Sequence, residues 1–204
     1  MAVSQKVILW DVDTQRDFML PGGALYVTGA EKTIPNMRRL VDAARQRRVF
    51  LVSDICTHTP DDPEFQVWPP HCVRGTKGAE KIPETVTDKF FRIPNEPDFR
   101  LPPDFEKQYP QIILEKQTLD VFDNPHTKEV VERLGREREY AVFGVVTEYC
   151  VRLAAKGLLD SGCRVALVTD AIETLKEEDG RRALEELTAR GARLMTTAEV
   201  MTEI

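Results

Sequence analysis

The segment Phe143-Gly144-Val145-Val146-Thr147-Glu148-Tyr149-Cys150-Val151-Arg152 places a thiol where an apolar run gives way to a helical stretch. A cysteine at the opening of a helix lies near the positive end of the helix dipole, which favours the thiolate. Backbone N–H groups there have no intrahelical acceptor and can hold an oxyanion. The combination points to an enzyme with a cysteine nucleophile. Such a nucleophile needs a base and a charge partner. Asp13 is the candidate base, because a carboxylate beside the thiol can accept its proton. Lys116 can hold that carboxylate and electrostatically favour the thiolate. On spacing alone, the competing assignment makes Cys150 a small buried hydrophobe and the other two ordinary surface charges.

A second constellation is Asp54-Ile-Cys56-Thr-His58, followed by Glu64 and His71. In extended chain, positions 54, 56 and 58 point the same way, so a carboxylate, a thiol and an imidazole share one side. His58, Glu64 and His71 could complete a site for a divalent transition metal with nitrogen and oxygen ligands. Two loop histidines in a proline-rich excursion are the plainer alternative. Two of the chain's three histidines nevertheless fall within this short stretch. Phe18, Phe65 and Trp68 offer a flat apolar wall for a planar ligand. His126 receives no role; Cys163 and Cys72 read as structural.

These residues must be positioned by the elements between them. Short apolar runs at Val7 to Trp10, Val49 to Val52, Ile112 to Leu114, Tyr140 to Val146 and Arg164 to Thr169 read as buried strands, with a further strand near Ala192 to Met195. Amphipathic stretches lie at about Glu31 to Arg47, Lys128 to Arg138, Glu148 to Asp160 and Glu177 to Arg190. Gly162 and Gly191 suit the C-terminal caps of the last two. The alternation predicts an α/β fold, a doubly wound and mainly parallel sheet with helices on both faces. Asp13, Asp54 to His58, Lys116 and Cys150 then follow four strands and gather at one edge, where such sheets bind ligands.

The chain of 204 residues reads as a single domain, 1–204, with an irregular, proline-rich excursion at about 54–111. Its net charge of −6, with both signs interspersed, excludes a nucleic-acid partner. No apolar run approaches the ~20 residues that span a bilayer, so no membrane role is expected. Met1 to Lys6 leads into only a short apolar run and makes a poor signal peptide. The four scattered cysteines read as reduced thiols, and the expected location is cytoplasmic.

Taken together, the motifs resemble the isochorismatase-like family of cysteine hydrolases, its nicotinamidase branch in particular. The resemblance rests on Asp13-Thr-Gln15-Arg-Asp17-Phe18 with Pro21-Gly22-Gly23-Ala24-Leu25, and on Trp68-Pro69-Pro70-His71-Cys72-Val73-Arg74-Gly75-Thr76. It extends to Gly144 through Val151 and to Val168-Thr169-Asp170-Ala171. It implies a catalytic triad of Asp13, Lys116 and Cys150, and a cis peptide between Val145 and Val146. It also implies an oxyanion hole from the N–H groups of Val146 and Cys150. His58, Glu64 and His71 fall on metal-ligand positions, and Phe18 and Trp68 on positions flanking the substrate ring. The implied cofactor is a divalent metal, zinc first with iron or manganese as alternatives, and no organic cofactor. One departure stands out. The family's metal motif is Asp-x-His, and two residues before His58 this chain has Cys56; either Cys56 replaces the aspartate or Asp54 stands in its place. The implied activity is hydrolysis of a small amide, nicotinamide foremost, by a homo-oligomeric enzyme. Another small amide, ureido or carbamoyl compound is the alternative substrate. A non-catalytic ligand-binding or assembly protein is the alternative class. The stretch from Glu84 to Gln111 matches no motif and is expected to form a lid or an oligomer contact.

Overall fold

A computed structural model describes residues 6–204; residues 1–5, which hold most of the segment read as a poor signal peptide, lie outside the described residues. One parallel sheet contains β1 (Val7–Val12), β2 (Phe50–Cys56), β3 (Phe90–Ile93), β4 (Gln111–Lys116), β5 (Glu139–Gly144), β6 (Arg164–Ile172) and β7 (Arg193–Met195). Their order is β3-β4-β2-β1-β5-β6-β7, with every pairing parallel. The helices are α1 (Arg16–Met19), α2 (Ile34–Arg45), α3 (Phe105–Gln108), α4 (Thr127–Leu134), α5 (Arg152–Asp160), α6 (Glu177–Ala189) and α7 (Thr197–Glu203). α2 and α7 pack on each other and on β6, while α5 packs on β5, β6 and α6. Right-handed crossovers put these two groups on opposite faces of the sheet. The doubly wound fold expected from the alternating pattern is the fold observed. Among the described residues, no helix is long and apolar enough to cross a membrane.

Burial on both faces explains the apolar strand runs: every residue of β1, β2 and β5 is buried. β2 continues past the apolar run through Ser53 and Asp54 because both side chains find buried hydrogen-bond partners. The chain leaves β1 toward β2 on one side and leaves β5 toward β6 on the other. The adjacent carboxyl ends of β1 and β5 are therefore the topological switch point, where the sheet opens a crevice. Gly144 ends β5 there with φ of 121°, and a Cβ on it would meet the Val12 carbonyl oxygen at 2.0 Å. Only glycine allows the two strand ends to come this close.

Several boundaries differ from expectation. The helix expected from Glu148 starts as a π-helical turn, Thr147–Val151, in which the Val151 N–H bonds back to Val146 O at 3.1 Å; α5 follows it. The helix expected from Glu31 begins as a 3-10 turn, Ala30–Thr33, and α2 starts at Ile34 with Pro35 in its first turn. α4 stops at Leu134 because Gly135, at φ 99°, turns the chain away. Gly162 and Gly191, at φ 82° and 101°, cap α5 and α6 as predicted.

The excursion after β2 is ordered and stitched to the strand ends. Arg16, Asp17 and Ile82 donate backbone hydrogen bonds to Glu80, Gly78 and Thr14, and His58 and Val73 form a parallel bridge. Within it, residues 84–111 supply the edge strand β3, paired with β4. Phe91 packs there on Phe99 and Tyr109. No apolar run marks this strand in the sequence, since three of its four residues are exposed or partly exposed and only Ile93 is buried.

Candidate active site

Asp13 lies one residue beyond β1. By strand alternation its side chain would follow Asp11 to the opposite face of the sheet. Its φ of 50° instead turns it toward Lys116, a conformation Asp tolerates better than most residues. Lys116 is the last residue of β4 and the register partner of Cys56 at the end of β2. The Lys116 ammonium lies 2.7 Å from Asp13 Oδ2, 3.1 Å from Cys56 Sγ, 3.7 Å from Cys150 Sγ and 3.9 Å from Asp54 Oδ1. All five groups are buried. Burial works against the ammonium's charge, but Asp13, Cys150, Cys56 and Asp54 outweigh it and hold the Lys116 pKa well above the ordinary value.

Cys150 sits inside the π-helical turn, two residues before α5. Here the expectation of a dipole-favoured thiolate is corrected. Burial pushes the Cys150 thiol well above its ordinary value; Lys116 pulls it down, and the Asp13 charge adds to the push. Desolvation dominates and favours the thiol, which would need a base in order to attack. Asp13 Oδ1, buried and without a hydrogen-bond partner, is available for that proton. The Val145–Val146 peptide bond, just ahead of the turn, is cis.

Cys56, His58 and His71 form a buried group whose donor atoms lie within 4.8 Å of one another. Both imidazoles are oriented through Nδ1, His58 by Asp62 Oδ2 at 2.9 Å and His71 by Pro69 O at 2.8 Å. Each therefore presents Nε2, and that of His58 is buried with no hydrogen-bond partner. Burial first, aided by His58, lowers the His71 pKa and favours the neutral ring. Two imidazoles with anchored outer nitrogens, both presenting Nε2 beside a thiol, fit a divalent metal ion. Glu64 is at the rim, with Oε1 3.7 Å from His71 Nε2.

Asp54 stands apart from this group. Its Oδ2 accepts from Trp10 Nε1 at 2.8 Å, and burial, reinforced by the Asp13 charge, pushes its pKa up to about 8. Its oxygens are directed at Trp10 and, at 3.9 Å, at Lys116.

Phe18, Trp68, Leu119, Val146, Tyr149 and Leu175 contribute to the wall of a pocket that reaches Cys150, Cys56, Glu64 and His71. Among the described residues, the lining has no lysine or arginine. Phe18 stacks obliquely on His71 at 5.3 Å, and Trp68 meets Tyr149 edge-on at 5.6 Å. Phe65 contacts both histidine rings, at 5.4 and 5.7 Å. His126 is held elsewhere by Glu96 O. All four cysteines are free and buried.

Several supporting residues escaped the sequence analysis as individual roles. Gln15 donates to Cys56 O and accepts from Cys56 N, both at 2.8 Å, which fixes the backbone under the thiol. Asp17 accepts from the N–H of Cys72 at 2.7 Å, securing the loop that carries His71. Glu148 accepts from the N–H groups of Leu175 and Lys176 and from the Thr174 hydroxyl, pinning the pocket wall at Leu175. Gln15 and Asp17 lie in the opening motif, and Glu148 in the nucleophile segment, so a signal was present but not its function. Asp62 carried no signal beyond its place four residues after His58.

This constellation puts a buried Cys–Asp–Lys group at the switch point, and residues 7–199 match the isochorismatase domain family. The chain belongs to that family and, within it, to the amidohydrolases. It is 24% identical over 209 residues to the nicotinamidase of Escherichia coli K12, covering 92% of this chain and 93% of that one. To the nicotinamidase/pyrazinamidase of Mycobacterium tuberculosis it is 27% identical, over 92% and 97% of the two chains. The structure of the Pyrococcus horikoshii pyrazinamidase in complex with zinc superposes with a TM-score of 0.75 at 30% identity, covering 94% of this chain and 99% of that one.

Proposed function

We propose that this chain hydrolyses small, neutral, planar carboxamides, nicotinamide foremost, through a thioester on Cys150. The observation that carries the proposal is the buried Lys116 ammonium, shared between Asp13 Oδ2 and Cys150 Sγ behind the thiol that lines an apolar pocket. Phe18 and Trp68 line the pocket as aromatic walls suited to a planar ring, and a lining that among the described residues lacks lysine and arginine offers no partner for a substrate carboxylate. The nicotinamidases and the pyrazinamidase to which the chain is similar act on substrates of this kind.

Asp13 takes the Cys150 proton as the sulfur attacks the amide carbon, with Lys116 holding both groups in place. The N–H groups of Val146 and Cys150 receive the tetrahedral oxyanion. Asp13 returns the proton to the departing nitrogen, the C–N bond breaks, and ammonia leaves a thioester. Asp13 then accepts a proton from water as it attacks, the C–S bond breaks, and the acid and free thiol are regenerated. His58, His71, Cys56 and Glu64 would hold the divalent metal, zinc or else iron or manganese, which supplies Lewis-acid polarisation and substrate orientation when bound. Phe18 and Trp68 orient the ring.

The test is ammonia release from nicotinamide, pyrazinamide and N-carbamoylsarcosine, with Cys150→Ala as control. The expected result is turnover of the two aromatic amides and at least ~10-fold lower kcat/KM for the carboxylate-bearing compound. Preference for N-carbamoylsarcosine would move the assignment to carbamoyl substrates. Absence of turnover with all three would end the aromatic-amide reading.

A further inference from the structure

We infer that Cys56 binds the metal as a thiolate, making this a sulfur-containing site with Lys116 as its outer hydrogen-bond partner. The inference deepens the proposed function and rests on its reading that the histidine pair holds a divalent ion. Four observations support it. The Cys56 sulfur belongs to the same compact donor group as the two imidazoles. It stands on a backbone fixed from both sides by Gln15, so its position is set before any ion arrives. The one carboxylate on the same strand, Asp54, lies outside that donor group, with Oδ2 on Trp10 and Oδ1 3.9 Å from Lys116. Glu64, at the pocket rim 3.7 Å from His71 Nε2, leaves the sulfur as the buried anionic ligand.

The chemistry follows from the donor set. A Cys-His-His set with one carboxylate at the rim is softer than an all-nitrogen-and-oxygen set and selects zinc over manganese. Binding displaces the thiol proton. The Lys116 Nζ, 3.1 Å from that sulfur, then donates a charge-assisted hydrogen bond to a metal-bound thiolate. The same ammonium touches the nucleophile at 3.7 Å, so one cation joins the metal ligand to the catalytic thiol.

The experiment is titration of the chelator-stripped full chain with Co2+ alone, followed by absorption, and with Zn2+ against Mn2+ in competition. Wild type and Cys150→Ala are expected to take up about one equivalent of cobalt and to show a near-ultraviolet sulfur-to-cobalt charge-transfer band. Cys56→Asp should bind cobalt without the band and lose at least ~10-fold of the zinc-over-manganese preference. Cys56→Ser, the smaller change, should also lack the band and serves if the aspartate variant misfolds. Three results would each overturn the inference: cobalt uptake by wild type with no band, a band that survives in the Cys56 variants, or no cobalt uptake at all. Ammonia release is a separate readout, so the amide assignment can stand or fall without the thiolate.

Discussion

Two buried lysine–aspartate pairs sit at the carboxyl end of β1, two residues apart in sequence and on opposite faces of the sheet. Lys81 donates to Asp11 Oδ2 at 2.6 Å and to the Thr14 hydroxyl at 2.7 Å. Ser53 adds a bond to the same carboxylate oxygen, and Gln111 extends the network to Thr85 O. Lys116 donates to Asp13 at 2.7 Å, but its other close neighbours are two thiols and the Asp54 carboxyl. The first pair ties the excursion to the sheet with groups that do not react. The second leads to sulfur atoms that line a pocket. The same ion pair at the same depth meets hydroxyls in one case and, in the other, two thiols that line a pocket, one of them the proposed nucleophile. A buried lysine is therefore informative only together with what else it touches.

Removing each lysine should separate the two roles. Lys116→Met leaves Asp13 charged and uncompensated, and turnover should fall by ~10³-fold or more, with stability lower by about 3–5 kcal/mol. Lys81→Met should cost a similar ~3–5 kcal/mol in denaturant unfolding, for the same reason at Asp11. Its folded fraction should keep kcat within a few-fold. Pairing it with Asp11→Leu should recover most of the loss, because the unpaired charge is then gone. A folded Lys81→Met protein as inactive as Lys116→Met would break the comparison.

Asp54 gives the smaller effect and a sign. Its native pKa, about 8, lies above the ordinary carboxylate value of 3.8, so between these values the folded chain holds a proton that the unfolded chain has lost. Stability is therefore fully present below pH ~4 and declines as pH rises to about 8. The loss is several kcal/mol at most, at about 1.4 kcal/mol per unit of displacement. Asp54→Asn keeps an acceptor for Trp10 and should flatten this slope in denaturant midpoints measured at pH 5 and pH 8. An unchanged slope would show that Asp54 is already ionised in the fold.

Much of the architecture was visible in the sequence because burial leaves an apolar trace. β1, β5 and the first half of β2 were found as apolar runs, and the strand–helix alternation gave the doubly wound sheet. The trace fails where burial is polar, as in Ser53 and Asp54, and where a strand is a short exposed edge, as in Phe90–Ile93. Asp13, Lys116 and Cys150 were found by their positions after strands, since a parallel sheet brings such ends together. Cys56, His58 and His71 followed from alternation and spacing. The Lys81–Asp11 pair was not visible, because a lysine in a loop has no local mark of burial and its partner lies 70 residues away. The Cys150 thiol was misjudged for a related reason: sequence shows the helix start but not the desolvation that overrides it.

The central claim is that Cys150 is the covalent nucleophile of an amide hydrolase, activated by Asp13. Acid quenching of the full chain during nicotinamide turnover, followed by peptide mass analysis, tests it directly. The account predicts an acyl adduct confined to the Cys150 peptide in wild type, absent from Cys150→Ala and strongly reduced in Asp13→Asn. An adduct on Cys56 or Cys72, or ammonia release that continues in Cys150→Ala, would contradict it.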